Sequence, residues 1–312
     1  MPWNDRTKRR LKLRDLDILL AVIETGSMGK AANRLNISQP AVSKAIVELE
    51  NALGVQLVDR SRRGVAPTPY GFALGKRSVA IFNDLRQGVQ DIDFLSDPTT
   101  GEIRIGTTEP VAMAIVLPAI DRLSRQYPRI FFHVVAGDTG TLYRELTERN
   151  VELGVSRIIG PMPDELSAEI LFYDSIAVVT TATNPLTRRR KLTLAELTNK
   201  PWTFYPYDSF FGSIIAEAFR AGGHEPPRLT VSSLSTNVQN ELLATGRFLT
   251  VLPGFMLRVP GRHPPLKALP VVLPNSPMPI GIITLKNRTL TPLAQLYIDN
   301  VRAIAKPLAK FK

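Results

Sequence analysis

Apolar side chains in the first fifty residues recur at the spacing of three successive helices. The inward stripe of the first helix is Leu13, Leu16, Leu20 and Ile23, and that of the third is Val42, Ile46, Leu49 and Leu53. Ser27 and Ser38 stand just before the second and third helices, where a hydroxyl accepts a hydrogen bond from a free amide. The pattern therefore predicts a helix, a tight turn and a helix, with an upstream helix covering the pair.

The turn and the start of the third helix carry short, polar or basic side chains. Asn36 tolerates the left-handed backbone that ends a helix, and Pro40 suits a first helical turn because its missing N–H costs little there. A helix that exposes such an end is what the major groove of DNA accepts. Any small helical hairpin shows similar caps, so the neighbouring segments decide. The candidate DNA-contacting residues here are Ser27, Ser38, Gln39, Pro40, Ser43 and Lys44.

Three arginines follow the apolar pair Leu57 and Val58 and surround a glycine turn: Arg60, Arg62 and Arg63. The pattern predicts a β-hairpin that forms the wing of a winged helix-turn-helix. Three arginines alone would indicate a solvated loop. Beside a helix-turn-helix they favour contact with DNA phosphates or with the minor groove.

A long amphipathic helix is expected to begin at Thr68, as its N-cap, and to run to about Phe94. Its apolar positions recur in a near-heptad seam of Phe72, Val79, Phe82, Leu85, Val89 and Ile92. A small winged domain cannot bury a seam of this length, so we expect the helix to pair with a second copy of itself. Intramolecular packing is the alternative. Two-fold symmetry of such a pair predicts a palindromic DNA site.

Beyond a hinge-like segment at 97–101, strand and helix patterns alternate along the chain. Such alternation predicts parallel βαβ units, here arranged as two similar α/β lobes. Strands are expected at 103–106, 130–135, 151–155, 175–181, 202–205, 229–231, 248–251 and 280–285. Helices are expected at 111–126, 141–148, 194–197, 211–221, 236–244 and 292–305, with a loop rich in proline and glycine near 160–163.

The run GSMGKAANRLNISQPAVSKAIVELENALGVQLVDRSRRGVAPTPYG resembles the N-terminal domain of LysR-type transcriptional regulators. The resemblance implies an all-α winged helix-turn-helix in residues 1–68, a dimerising linker helix in 69–97 and an effector-binding domain in 98–312. That domain would be a two-lobe α/β fold like the periplasmic binding proteins, with lobe I at about 101–165 and 275–305 and lobe II at about 166–274. The family also implies a homodimer or homotetramer that binds double-stranded DNA and a small-molecule effector between the lobes.

Ligands of open α/β sheets bind beyond the carboxyl ends of the strands, near helix N-termini. At positions that match the family's cleft, the candidate effector contacts are Thr107, Thr108, Ser209, Ser233 and Thr250. Each of them alone is more typical of a cap or a turn. Glu109 would disfavour a carboxylate placed against it and suits the hydroxyls of a sugar or a catechol-like ring. We expect a sugar or an aromatic acid as effector. We expect the aromatic residues between 202 and 211 to be core, with stacking on a ring-shaped ligand as the alternative.

Charge is concentrated in the segment with the helix-turn-helix. Of a net charge of +11, residues 1–77 hold +7, from 14 Lys or Arg against 7 Asp or Glu. This favours a polyanion as partner there. The basic segment 1–12 is interpreted as a disordered tail, with a phosphate-contacting arm as the alternative. The chain has no cysteine, and no apolar run approaches the length that spans a bilayer, so we expect a cytoplasmic protein without a membrane partner.

Catalytic and metal-binding motifs are missing from the sequence. His133, His224 and His263 are scattered, and no phosphate-binding loop, dinucleotide glycine signature or nucleophile-serine motif is present. We therefore expect no enzyme, no metal and no cofactor. Two alternatives to a ligand-responsive regulator are a solute-binding protein, which would not need a helix-turn-helix, and an architectural DNA-binding protein whose C-terminal part only assembles oligomers. An effect of a small molecule on operator binding would separate the regulator from the architectural protein.

Overall fold

The computed structural model describes residues 11–61, 64–259, 265–274 and 277–309. The chain forms two compact units, Met1–Val89 and Gln90–Lys312. Two of the candidate DNA contacts, Arg62 and Arg63, lie outside the described residues, as does most of the basic N-terminal segment.

Among the described residues, the first unit begins with three helices and a hairpin. They are α1 (Leu13–Thr25), α2 (Met28–Leu35), α3 (Gln39–Leu53), β1 (Val58–Ser61) and β2 (Gly64–Pro67). The core between them is apolar, and Leu19, Val22, Val42 and Ile46 are completely buried. The predicted inward stripe of α3 is confirmed at Val42, Ile46 and Leu49. That of α1 is confirmed only at Leu16, since Leu13 is 47% exposed and Leu19 and Val22 take the inward positions instead.

Helix ends in this unit follow local rules that the sequence shows. The hydroxyl oxygen of Ser27 accepts a hydrogen bond from the Lys30 amide at 3.4 Å, and that of Ser38 accepts one from the Ala41 amide at 3.3 Å. Asn36 ends α2 with φ of 53°, in the left-handed region. The predicted caps are confirmed, and they set the sharp turn between α2 and α3.

The hairpin is joined to the long helix α4 (Pro69–Ser96) by a rigid corner. Thr68 caps α4, accepting from the Gly71 amide at 3.1 Å, and its own amide donates to the Leu57 carbonyl at 2.9 Å. A Cβ at Gly71 would overlap that same carbonyl, so only glycine permits this close approach. Beyond the corner, α4 exposes an apolar stripe of Ile81, Leu85, Val89, Ile92 and Leu95. From the predicted seam, Phe82 instead packs on the core of the first unit.

Lobe I of the second unit is built on a five-stranded sheet with the order β4-β3-β5-β12-β6. Its strands are β3 (Thr100–Thr107), β4 (Arg129–Ala136), β5 (Leu153–Arg157), β6 (Leu166–Asp174) and β12 (Met278–Leu285). Strand β3 is parallel to β4 and β5, as predicted, whereas β12 runs antiparallel to both of its neighbours. Strand β6 was not expected, and it adds one strand to lobe I in a range that the sequence assigned to lobe II.

Helices cover this sheet. The expected single helix at 111–126 is divided into α5 (Glu109–Val111), a π-helical turn at Ala112–Val116 and α6 (Leu117–Gln126). Pro118 lacks the N–H that a regular helix would need there, which accounts for the irregular turn before it. Helix α7 (Thr139–Thr147) follows β4, and α11 (Pro292–Leu308) is the last helix of the lobe.

Lobe II contains a three-stranded antiparallel sheet with the order β10-β7-β11 and a small parallel pair, β8-β9. The expectation of parallel strands is wrong for the larger of these sheets. The strands are β7 (Ile176–Thr181), β8 (Thr203–Phe204), β9 (Val231–Ser232), β10 (Thr250–Pro253) and β11 (Leu266–Ala268), of which β11 was not predicted. The helices are α8 (Leu194–Leu197), α9 (Phe210–Ala221) and α10 (Thr236–Ala244), close to the expected ranges.

Candidate DNA-binding surface and effector cavity

The N-terminal end of α3 is exposed along its polar face. Ser38, Gln39, Pro40 and Lys44 are exposed and Ser43 is half-buried, whereas Val42 between them is completely buried. The structure thus presents the candidate residues of this helix outward together. Ser27, at the start of α2, is half-buried, and its hydroxyl is engaged in the cap.

Arg60 on the hairpin lies beside this end of α3. Its guanidinium Nη1 donates a hydrogen bond to Ser43 Oγ at 3.2 Å, and both groups remain accessible to solvent. A second tie holds the hairpin in place, because Glu50 Oε1 on α3 accepts from the Leu57 amide at 2.8 Å. The hairpin and the N-terminal end of α3 therefore lie side by side on one surface.

One exposed apolar residue on that surface was not among the candidates. Val47 lies one turn beyond Ser43 on α3 and is 42% exposed. Its position outside the inward stripe of Val42, Ile46 and Leu49 is the signal that could have identified it. An exposed apolar group on such a helix can contact the methyl group of thymine.

A cavity of about 420 Å³ lies between the two lobes of the second unit. Its volume falls in the range of about 300–1,000 Å³ that small-molecule sites occupy. Lobe I contributes the end of β3, the turn after β4 and the end of β5, and lobe II contributes residues near the starts of α9 and α10. Its polar lining includes Thr108, Glu109, Asp138, Thr139, Arg157, Tyr205 and Ser209.

The five candidate effector residues take different positions around this cavity. Thr108 and Ser209 line it. Thr107 is completely buried and donates to the Val155 carbonyl at 2.8 Å, which ties β3 to β5. Ser233 Oγ accepts from the Ser235 amide at 3.1 Å in the turn before α10. Thr250 is completely buried in β10 and is not part of the lining.

Several lining residues were not candidates. Asp138 could have been identified from its place as the N-cap of α7 directly after a strand, where its carboxylate accepts from the Thr141 amide at 2.7 Å. Tyr205 and Phe211 pack on the core of lobe II, as expected, and the structure also places both in the lining of the cavity, in an aromatic cluster with Phe204. Arg157 carried no sequence signal beyond its place at the end of a strand.

Arg157 is the one Lys or Arg among the described residues that line the cavity, and its charge is already compensated. Its side chain is 5% exposed, Nη2 donates to Asp174 Oδ2 at 3.3 Å, and the guanidinium stacks over the Phe211 ring at 5.4 Å. Burial lowers the pKa of Arg157 to about 10, while Asp174 opposes that shift. The group therefore remains a paired cation at neutral pH.

Glu109 links the two lobes across the cavity. Its Oε2 accepts a hydrogen bond at 2.9 Å from the backbone amide of Thr236, the first residue of α10. The Tyr205 hydroxyl lies 3.4 Å from Thr236 Oγ1. Burial raises the pKa of Tyr205, the hydrogen bond with Thr236 opposes this rise, and the nearby Glu109 carboxylate adds to it. The phenol thus stays neutral at neutral pH.

Within the described ranges, no cluster of His, Cys, Asp or Glu has the arrangement of a metal site. None of the helices in the part of the chain that the structure describes is both long and apolar enough to cross a membrane.

A winged helix-turn-helix joined by a long helix to a two-lobe α/β domain with a cleft defines a DNA-binding regulator that carries its own sensor domain. Family models match both parts: a bacterial regulatory helix-turn-helix protein of the lysR family over residues 13–72, and a LysR substrate binding domain over residues 96–306. The chain belongs to the LysR family of transcriptional regulators.

Individual relatives agree with this assignment. The chain is 32% identical over 308 residues to the HTH-type transcriptional regulator GbpR of Azospirillum brasilense, covering 97% of this chain and 89% of that protein. It is 25% identical to the uncharacterized HTH-type transcriptional regulator YdcI of Escherichia coli strain K12, covering 97% and 98%. Full-length CbnR in complex with its target DNA has a similar fold, with a TM-score of 0.67 at 20% identity over 94% of this chain and all of that one.

Proposed function

We propose that this regulator reads its operator through the N-terminal end of α3 and holds the DNA backbone or minor groove through the wing. The hydrogen bond between Arg60 and Ser43 carries the proposal, because it places a wing cation beside the helix end that would enter the major groove. Gln39 and Lys44 would reach base edges, and Val47 would meet a thymine methyl. Arg62 and Arg63 of the wing are proposed as further backbone contacts from the sequence alone.

The test compares two variants on duplexes selected from a random pool. A specific base contact is worth about 1–3 kcal/mol, so Gln39→Ala is expected to relax the preference at one base position about 5- to 150-fold. Arg60→Ala is expected to weaken binding to all duplexes similarly and to flatten the salt dependence. Fluorescence anisotropy at several salt concentrations measures both effects. Unchanged selectivity of Gln39→Ala would refute the proposed docking.

We further propose that residues 69–97 form the dimerising linker between a DNA-binding domain at 1–68 and an effector domain at 98–312. The apolar stripe of α4 supports this, since Leu85 is 47% and Val89 59% exposed on a single chain. Pairing two such stripes places two recognition helices on a palindromic operator, as a homodimer or within a homotetramer. Leu85→Lys with Val89→Lys is expected to reduce the assembly measured by sedimentation, and an unchanged mass would contradict this role.

The cavity between the lobes is proposed to hold the small-molecule effector, with Thr108 and Ser209 among its contacts. A ligand shifts a conformational equilibrium only when it binds the two states with different affinity, and a cavity lined by both lobes provides for that difference. This lining favours a sensor over a domain that only assembles oligomers. Thermal shift with a panel of sugars and aromatic acids would identify ligands, since a ligand of the folded state raises the melting temperature. The protein then acts in the cytoplasm, where its DNA lies, and without catalysis.

A further inference from the structure

Three helices begin at or beside the cavity. The start of α9 is capped by the Ser209 hydroxyl, which accepts from the Gly212 amide at 3.2 Å, whereas the starts of α7 and α10 each hold a carboxylate of the chain itself. Helix N-termini carry partial positive charge and free amides, and they attract anions. At α7 the position is filled by Asp138, which accepts from the Thr141 amide at 2.7 Å. At α10 it is filled from the opposite lobe by Glu109, which accepts from the Thr236 amide at 2.9 Å. A ligand carboxylate would meet negative charge at both places.

Among the described residues, the lining of the cavity also provides no spare cation that would compensate a ligand anion. Arg157 is the one Lys or Arg among the described residues that line the cavity. Its guanidinium is already paired with Asp174 and stacked on the Phe211 ring. Asp174 itself is shared with a second arginine, Arg258, at 3.3 Å. An anion bound at Arg157 would therefore have to share a buried guanidinium whose charge Asp174 already balances, which weakens the attraction.

The remaining lining suits a neutral ring that carries hydroxyl groups. A carboxylate offers about four acceptor positions, so Glu109 can accept hydrogen bonds from a ligand while it holds the Thr236 amide. Tyr205 and Phe211 offer aromatic surface, and Val111 and Leu234 add apolar surface. Hydroxyl donors would thus meet carboxylates on one side, and the ring would meet apolar groups on the other.

We propose, building on the effector role of the cavity, that Glu109 is the residue that determines specificity by charge: it excludes carboxylate-bearing compounds and selects an uncharged, hydroxyl-bearing ring as effector. Glu109 acts in this way because its own carboxylate occupies the N-terminus of α10, where a ligand anion would otherwise bind. The same contact joins the lobes, so a ligand that donates to Glu109 binds at the junction that the proposed switch uses.

Benzoate and benzyl alcohol test the proposal, since they share a ring and differ in charge. Calorimetric titration of the full-length chain compares wild type, Glu109→Ala, which opens the position, and Glu109→Gln, which keeps its shape without the charge. Both variants are expected to bind benzoate at least tenfold more tightly than wild type, about 1.4 kcal/mol. Glu241→Gln is the matched control, because it removes the same charge from an exposed position of α10 and should behave as wild type.

Equal benzoate affinity in wild type and Glu109→Ala would overturn the proposal, as would a wild-type protein that prefers benzoate to benzyl alcohol. A gain in Glu109→Ala without a gain in Glu109→Gln would also overturn it, since space rather than charge would then be limiting. Operator binding by the same samples separates this proposal from the proposed function. If the samples bind DNA and benzoate discrimination fails, only the role of Glu109 is wrong; if wild type does not bind DNA, the proposed function fails first.

Discussion

Substitution of Asp174 by Asn tests how the effector domain tolerates a charge in its interior. Asp174 is 6% exposed and accepts hydrogen bonds from Arg157, from Arg258 and from the Phe255 amide at 3.1 Å. Asn keeps the size of the side chain and one acceptor oxygen, so the change removes mainly the negative charge. After this change, Arg157 and Arg258 differ in how easily their guanidinium groups can reach solvent.

The magnitude follows from that difference. Arg258 is 26% exposed and can turn its guanidinium toward water, whereas Arg157 is 5% exposed and cannot. Loss of one partner of a buried ion pair costs about 3–5 kcal/mol, because the other charge stays buried without compensation. We therefore expect Asp174→Asn to lower the free energy of unfolding by about that amount. The exposed pair Glu169 and Arg302, 45% and 43% accessible, is worth at most about 1 kcal/mol and provides the comparison.

Urea unfolding of the full-length chain measures the effect. Trp202 is 1% exposed in lobe II, so its fluorescence reports this domain in a Trp3→Phe background. Replacing both partners, Asp174→Asn with Arg157→Met, should recover much of the loss, since an apolar side chain needs no counter-charge. If Asp174→Asn costs less than about 1 kcal/mol, as an exposed pair does, the reasoning about the buried charge is refuted.

Three further predictions concern other parts of the chain. Gly71→Ala should strongly destabilise the DNA-binding unit because its Cβ would overlap the Leu57 carbonyl, whereas Gly88→Ala on the same helix has open space and should be neutral or stabilising in thermal unfolding. Thr291→Ala should cost about 1–2 kcal/mol in urea unfolding, because it removes the buried cap of α11, and Thr291→Ser should restore most of it. The hydrogen bond from Arg302 lowers the pKa of Glu169 from its usual value. The small stabilisation that is lost in Glu169→Gln should therefore be present at neutral pH and vanish as pH falls through that lowered pKa; an equal loss at neutral pH and in acid would contradict this.

Local chemistry explains why the first unit was predictable. A hydroxyl cap at Ser38 and a left-handed residue at Asn36 depend on a few neighbouring residues, and the structure confirms both. Strand β6 depends on a distant partner instead, because it pairs with β12 more than a hundred residues later. It is also an edge strand with Ile170 and Tyr173 exposed, so its apolar pattern does not resemble a half-buried strand.

The sequence is equally limited in predicting which individual side chains line the cavity. Thr107 and Thr108 are adjacent and chemically alike, yet one closes a strand pair and the other lines the cavity. Which residue of a strand end faces a ligand depends on register, and register depends on the neighbouring strands. The setting of Arg157 likewise arises from Asp174 and Phe211, which other elements supply.

The rigid corner at Thr68 has a consequence for how operators of different spacing are accommodated. Its hydrogen bonds to the Gln56 and Leu57 carbonyls, with the close approach of Gly71, leave no joint between the wing and the first turns of α4. The winged helix-turn-helix and the first turns of α4 therefore move together as one body. If two copies read a palindromic operator as proposed, any adjustment to a longer or shorter interval between half-sites has to come from bending of the DNA or from movement further along the chain.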